Sequence, residues 1–168
     1  MWLWGLPVLA AVLAGLAGCG GVHLKEGGFV VQEKGYRVGA PAGWAPVTSD
    51  ADLVLRRGES GAGLMAHATC DGKPPTRPFP ILARHLRFGL RDVQELAEQP
   101  VTLGGLPGVA QRFRATLDGV PVAVQAVTLR GARCVYDLVG VASPEGLAAL
   151  VPEFERFTAG FAVSGAAR

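Results

Sequence analysis

The chain has 168 residues, of which 49% are hydrophobic and 18% charged, with 16 Lys+Arg against 14 Asp+Glu. That length allows one ordinary domain plus an appendage, and the composition excludes a disordered or highly charged chain. A net charge of +2 argues against a dedicated nucleic-acid binder, and three cysteines are too few for a disulfide-rich miniprotein.

Residues 1–18 hold no charged side chain. Such a run is either a short membrane-spanning helix or the apolar core of a signal peptide. It ends in Leu16-Ala17-Gly18-Cys19, which resembles the bacterial lipobox. There, small residues let the backbone enter the signal peptidase and the cysteine thiol takes the diacylglyceryl group. The resemblance implies a signal peptide over 1–18 and acylation, palmitate included, of Cys19 as the new N-terminus. The usual Lys or Arg ahead of the apolar run is missing, and a plain membrane anchor is the competing reading. Acyl chains on Cys19 would bind the bilayer strongly, since each buried methylene contributes about 0.8 kcal/mol. Gly20 stands where an aspartate often retains lipoproteins on the inner membrane, so the resemblance implies the outer membrane, facing the periplasm. Residues 20–28 are Gly-rich and aperiodic and read as a flexible tether, with His23 solvated.

Phe29–Val31 and Tyr36–Val38 read as short strands, and Pro41-Ala42-Gly43-Trp44 as a turn. Leu53–Arg57 and Leu64–Cys70 read as two strands joined by Gly58–Gly63. In the second, Leu64, Ala66, Ala68 and Cys70 share one face, while Met65, His67 and Thr69 share the other. His67 then reads as a packed strand residue rather than a catalyst. Residues 71–80 hold four prolines and exclude a regular element. Ile81–Leu90 follows as a helix with an apolar stripe of Ile81, Leu82, His85, Leu86, Gly89 and Leu90. Arg84, Arg87 and Arg91 form a basic row opposite, which is either a solvated face or a contact for lipid phosphates or an acidic partner.

Val93–Leu103 is ambiguous at its start and strand-like at its end. Val109–Leu117 alternates, with Arg112 and Arg114 on the face away from Val109, Gln111 and Phe113. Asp118-Gly119 is the strongest hairpin signal in the chain. Val120–Leu129 is nearly apolar on both faces, as a central strand should be, and Arg133–Ala142 closes the meander. Ser143-Pro144-Glu145 reads as a helix start. Leu147, Leu150, Val151, Phe154 and Phe157 form one stripe, interrupted by Pro152, which is expected to kink or split the helix. The expected fold class is α/β (α+β), an antiparallel sheet sandwiched by helices.

With Cys19 acylated, Cys70 and Cys134 remain, both on expected strands. A periplasmic disulfide, two buried free thiols, and a His67-x-x-Cys70 metal pair lacking a second pair of ligands are the three readings.

The order of elements resembles the Mog1/PsbP-like family. The phrases that carry the likeness are Tyr36-Arg37-Val38 leading to Pro41-Ala42-Gly43-Trp44, Gly105-Leu106-Pro107-Gly108-Val109-Ala110 opening a hairpin, and Val135-Tyr136-Asp137-Leu138 ahead of a helix ending near Phe157 and Phe161. The resemblance spans residues 29–163, leaving 164–168 as a tail. It implies a lipid-anchored or exported, non-enzymatic protein that assists a larger assembly or has no known role. It carries over no functional residue.

Motifs that carry chemistry are scarce in the sequence. There is no G-x-S-x-G elbow, HExxH or P-loop. Glu95 and Glu98 are three apart and would share a helix face, which fits a solvated surface better than acid–base work. No catalytic residue, cofactor or metal is expected. Three functions remain: a protein-binding or assembly module using Arg84, Arg87, Arg91, Arg112 and Arg114 for an envelope partner; a small-molecule or lipid carrier, or a hydrolase, with a cavity between sheet and helix lined by Trp44, His67 and Phe88; or a purely structural envelope protein.

Overall fold

The computed structural model describes residues 21–58 and 60–164. The lipobox-like segment Leu16–Cys19, and with it the expected signal peptide and acylation site, lies outside the described residues. Two antiparallel sheets and two helices make an α+β fold. Strands β1 (Val22–Lys25), β2 (Gly28–Val31), β3 (Tyr36–Gly39) and β11 (Ala162–Val163) form a four-stranded sheet in the order β1-β2-β3-β11. Strands β4 (Ala45–Val47), β5 (Leu53–Arg56), β6 (Gly63–Cys70), β7 (Arg91–Leu103), β8 (Leu106–Leu117), β9 (Val120–Arg130) and β10 (Cys134–Ala142) form a seven-stranded sheet in the order β4-β5-β6-β10-β9-β8-β7. Helix α1 (Phe79–Arg84) covers one face of the large sheet. Helix α2 (Leu147–Ala159) and the small sheet cover the other.

Strand β1 corrects the expected tether. Val22–Lys25 pairs with Gly28–Val31, and Glu26 and Gly27, both at positive φ, make the two-residue turn between them. Residues 22–28 therefore belong to the fold rather than to a flexible tether. The expected helix over Ile81–Leu90 is also shorter. α1 ends at Arg84, one 3₁₀ turn covers His85–Arg87, and Phe88 turns extended before Gly89 at φ 81°. The ambiguous stretch from Val93 is strand from Arg91 onward.

The main core fills the space between the large sheet, the small sheet and α2. Leu64, Ala66 and Ala68 of β6, Tyr136 and Leu138 of β10, and Phe154 and Phe157 of α2 are all buried in it. The stripe read along α2 is therefore correct in direction, and the helix runs through Pro152 unbroken. Gly140 of β10 is where the helix comes closest. A Cβ there would lie 2.9 Å from the Phe154 ring and 3.2 Å from Leu150. Tyr136 packs edge-on against both Tyr36 and Phe161, with centroids 5.4 and 5.3 Å apart, and so joins the two sheets.

Where β5 stops short, the edge of β6 is closed by a side chain. Asp52 accepts the Ala68 backbone N–H at 2.7 Å and the Tyr36 hydroxyl at 2.9 Å, and it pairs with Lys34 at 2.7 Å. Burial, reinforced by Asp52, pushes the Tyr36 hydroxyl well above its ordinary pKa, so it stays a donor.

A smaller core lies on the α1 face. Phe113, Ala115, Val124, Ala126 and Val139 are buried there, with Leu86 and Leu90 against them. The Asp118-Gly119 hairpin forms as expected, with φ of 49° and 82°.

Candidate functional site

The most distinctive polar constellation lies under α1. Asp137 sits in the middle of β10 and is 2% exposed. A carboxylate so deep in a sheet must be paired and hydrogen-bonded. Its partner across the ladder on β9, Thr128, donates its hydroxyl to Oδ1 at 2.8 Å. From the 3₁₀ turn after α1, His85 donates Nε2–H to Oδ2 at 2.7 Å. The other His85 nitrogen, Nδ1, faces the Leu82 carbonyl. Both ring nitrogens thus face acceptors, an arrangement that favours the doubly protonated ring. The hydrogen bond to Asp137 raises the His85 pKa, burial opposes it, and the Asp137 charge and the Leu82 carbonyl add to the rise. With both nitrogens engaged, His85 holds the helix end to the sheet.

This latch makes a pH-dependent prediction. A folded-state pKa raised above the ordinary value of about 6.5 gives a stability contribution present in full below that value. It fades as pH rises through the raised folded pKa. The difference in urea midpoint between the natural chain and His85→Gln is expected to be larger at about pH 5.5 than at about pH 9. A difference that does not change with pH would overturn the charged latch.

Beside the latch, an open cleft of about 730 Å³ runs between α1, the proline-rich loop 71–77 and the ends of β6 and β10. Val135, Leu82 and Ile81 give it apolar walls, and Lys73, Arg77 and Arg133 stand around it. Among the described residues, none of these three cations has a carboxylate within 4 Å. Arg130 secures the near end of α1, with its guanidinium 4.3 Å above the Phe79 ring and a hydrogen bond to the Arg77 carbonyl.

Cys70 and Cys134 close the end of the β6–β10 ladder. They are directly paired in register, with Cα atoms 4.2 Å apart, and form a disulfide. That separation is close to the narrower kind of antiparallel pair. The disulfide reading of the two cysteines is the one realised. Their chain neighbours Thr69, Asp71, Arg133 and Val135 all line the cleft.

The arginines expected to form contacts do not form a common surface. Arg84 and Arg91 are exposed. Arg87 turns inward, 5.3 Å above the Phe113 ring and 2.8 Å from Glu95, with Glu98 at 3.8 Å. The expected row is therefore broken at its middle. Glu95 and Glu98 belong to β7, not to a helix face. The β-bulge between Glu95 and Ala97 lets both reach Arg87. Arg112 is half-buried and Arg114 exposed, and by strand alternation both lie on the sheet face away from α1.

The cavity lining read from sequence is likewise corrected. Trp44 is 8% exposed in the main core, Phe88 is 94% exposed in solvent, and His67 sits 3.5 Å from Asp52 on β6. None of the three lines the cleft. Among the described residues no group of three or more His, Cys, Asp or Glu side chains is placed to hold a metal, and no helix is long and apolar enough to cross a membrane.

No protein-family model matches the chain, and no curated protein matches its sequence. Solved structures do match. The cyanobacterial PsbP protein (CyanoP) of Synechocystis sp. PCC 6803 aligns with a TM-score of 0.62 at 15% identity, over 88% of this chain and 98% of that one. The chain has a PsbP-like fold. LpqN, involved in cell envelope biogenesis of Mycobacterium tuberculosis, aligns at TM-score 0.59 and 15% identity, over 77% of the PsbP-like chain and 83% of its own. PA94 of Pseudomonas aeruginosa, a protein of unknown function, aligns at 0.51 and 12%, over 80% and 90%. At these identities the likeness extends to the fold, and the expected Mog1/PsbP-like architecture is the one observed.

Proposed function

We propose that this PsbP-like protein is a non-catalytic binding module of the cell envelope, lipid-anchored through Cys19 and facing the periplasm, with the cleft beneath α1 as its ligand site. The cleft is the observation that carries the reading. It is open and apolar-walled, cations at its edge have no carboxylate partner among the described residues, and its one histidine has both nitrogens committed to holding the helix. Such a hollow is suited to retaining a ligand rather than transforming it. The envelope assignment draws on the Leu16–Cys19 motif, on a disulfide of the kind that persists in oxidising compartments, and on the envelope role named for LpqN. The outer membrane is the favoured bilayer because Gly20 follows Cys19. Leu24 and Val47, 67% and 40% exposed, flank a shallow groove beside β1 and would lie close to a bilayer anchored three residues before Val22.

A second reading, an envelope protein partner, is favoured by the far end of the sheet. There Leu117 and Val120 pair directly and are 43% and 61% exposed. Phe88 stands three residues before Arg91, which pairs with Thr116.

Fractionation and in-cell crosslinking of the tagged full-length chain, beside Cys19→Ser, test the proposal. The full-length chain is expected to sediment with outer membranes and to carry fatty acid, and Cys19→Ser to lose both the fatty acid and its crosslinks. A Cys19→Ser chain that still incorporates fatty acid would sink the anchor. An abundant protein crosslinked through the Leu117–Val120 end, with nothing at the cleft, would replace the cleft by the second reading.

A further inference from the structure

We infer that the cleft takes an anionic amphiphile, a small apolar body carrying one carboxylate or phosphate group. This rests on the reading of the cleft as the ligand site and adds the chemical class of the ligand.

Four cationic side chains and two carboxylates line the cleft: Lys73, Arg77, Arg133 and His85, against Asp71 and Asp137. The balance is more one-sided than the count suggests. Asp137 is neutralised by His85 and has both oxygens engaged, by His85 and by Thr128. That pair presents little net charge to a ligand. What remains is Asp71 against three cations. Lys73 and Arg77 come from the proline-rich loop and Arg133 from the turn before β10. Arg133 extends over the opposite turn, where its guanidinium lies 3.9 Å from the position a Cβ on Gly72 would occupy. Cations supplied from two segments that line one opening suit a single anionic head, which could take charge-assisted hydrogen bonds from both. A neutral ligand would leave them without counter-charge.

The walls call for the other half of the ligand. Ile81 is 49% exposed on the first turns of α1, where the helical pattern predicted burial. Leu82 and Val135 continue the apolar surface inward, with Pro74 and Pro75 opposite. An apolar surface opening onto a cation-rimmed mouth fits a ligand with an apolar body and a charged end. At about 730 Å³ the hollow has the size of a small-molecule site.

The test is titration calorimetry of the full chain in neutral-lipid nanodiscs, with empty discs subtracted. The probes are octanoate, octyl phosphate, octanol and inorganic phosphate. Octanoate and octyl phosphate are expected to saturate one site. Arg133→Gln and Arg77→Gln, both at exposed positions, are each expected to weaken that binding about tenfold. Ile81→Glu is expected to abolish it while leaving the disulfide-bonded fold intact by circular dichroism. Octanol binding as tightly as octanoate, with the arginine variants unchanged, would overturn the anionic class and keep the cleft as the site. Inorganic phosphate binding as tightly as octyl phosphate would overturn the amphiphile in favour of a simple anion site. Saturable binding by none of the four would overturn both this inference and the reading of the cleft as the ligand site.

Discussion

Removal of the Cys70–Cys134 bridge, by the paired substitution Cys70→Ser and Cys134→Ser, is expected to destabilise the protein by about 4 kcal/mol. The two cysteines are 64 residues apart in sequence. In the chain-entropy model, a loop of that length left open in the unfolded chain restores about that much freedom. With a urea dependence of roughly 2 kcal/mol/M for a domain of this size, the midpoint should fall by about 2 M. The reduced natural chain should behave like the double variant. The loss also has a local side. The bridge terminates the β6–β10 ladder, and the residues on either side of each cysteine line the cleft. Ligand binding should therefore weaken in the double variant even under conditions where the chain remains folded. An unchanged midpoint would mean that the bridge adds strain equal to the entropy it removes.

The second large effect is expected at Gly39, the last residue of β3. A Cβ there would lie 2.2 Å from the Arg156 carbonyl oxygen and 3.2 Å from that of Phe157. These are backbone atoms in the last turn of α2, so no side-chain rotation relieves the clash. Gly160, just past the helix, meets the same strand from the other side, with a Cβ position 2.3 Å from the Gly39 nitrogen. The helix can retreat only by lifting Phe157 and Phe154 out of the core. Gly39→Ala is expected to cost about 3 kcal/mol or more, a fall in Tm of about 10 °C. Gly63→Ala is the control, because a Cβ there meets nothing nearer than the Leu55 carbonyl oxygen at 3.9 Å. Equal melting temperatures for the two variants would contradict the close approach of α2 to β3.

Much of this architecture is legible in the sequence because it depends on local patterns. The alternation along β6, β8 and β10, the Asp118-Gly119 turn and the stripe of Leu150, Phe154 and Phe157 each state a periodicity that the fold keeps. β7 is harder to read. Gln94-Glu95-Leu96-Ala97-Glu98-Gln99 is rich in helix formers, and only the ladder to β8 makes it a strand. β1 carries a readable signal in its Glu26-Gly27 turn, obscured by the surrounding glycines. The site is less legible because its members are far apart in sequence. His85 and Asp137 are 52 positions apart, and no spacing rule links them. One clue is present in Val135-Tyr136-Asp137-Leu138-Val139, where a carboxylate in an apolar strand demands a partner. A partner of the right chemistry, His85, is already on the expected apolar stripe. The break in the arginine row at Arg87 could not be read, because it depends on a β-bulge.

The large sheet has two outer strands, β4 and β7, and neither offers a straight ladder to a neighbour. β4 is three residues long and has Pro46 at its centre. β7 shifts register between Arg91 and Gln94 and again between Glu95 and Ala97, and it carries Pro100 further along. Asp92 adds a left-handed kink at φ 50°, and Glu95 and Glu98 place charge along the strand. A second copy meeting this edge would lose step with it twice before reaching the proline. Copies crowded together on a surface at high density can therefore collide edge to edge without nucleating a shared sheet, and the protein resists growth into fibrils through that sheet.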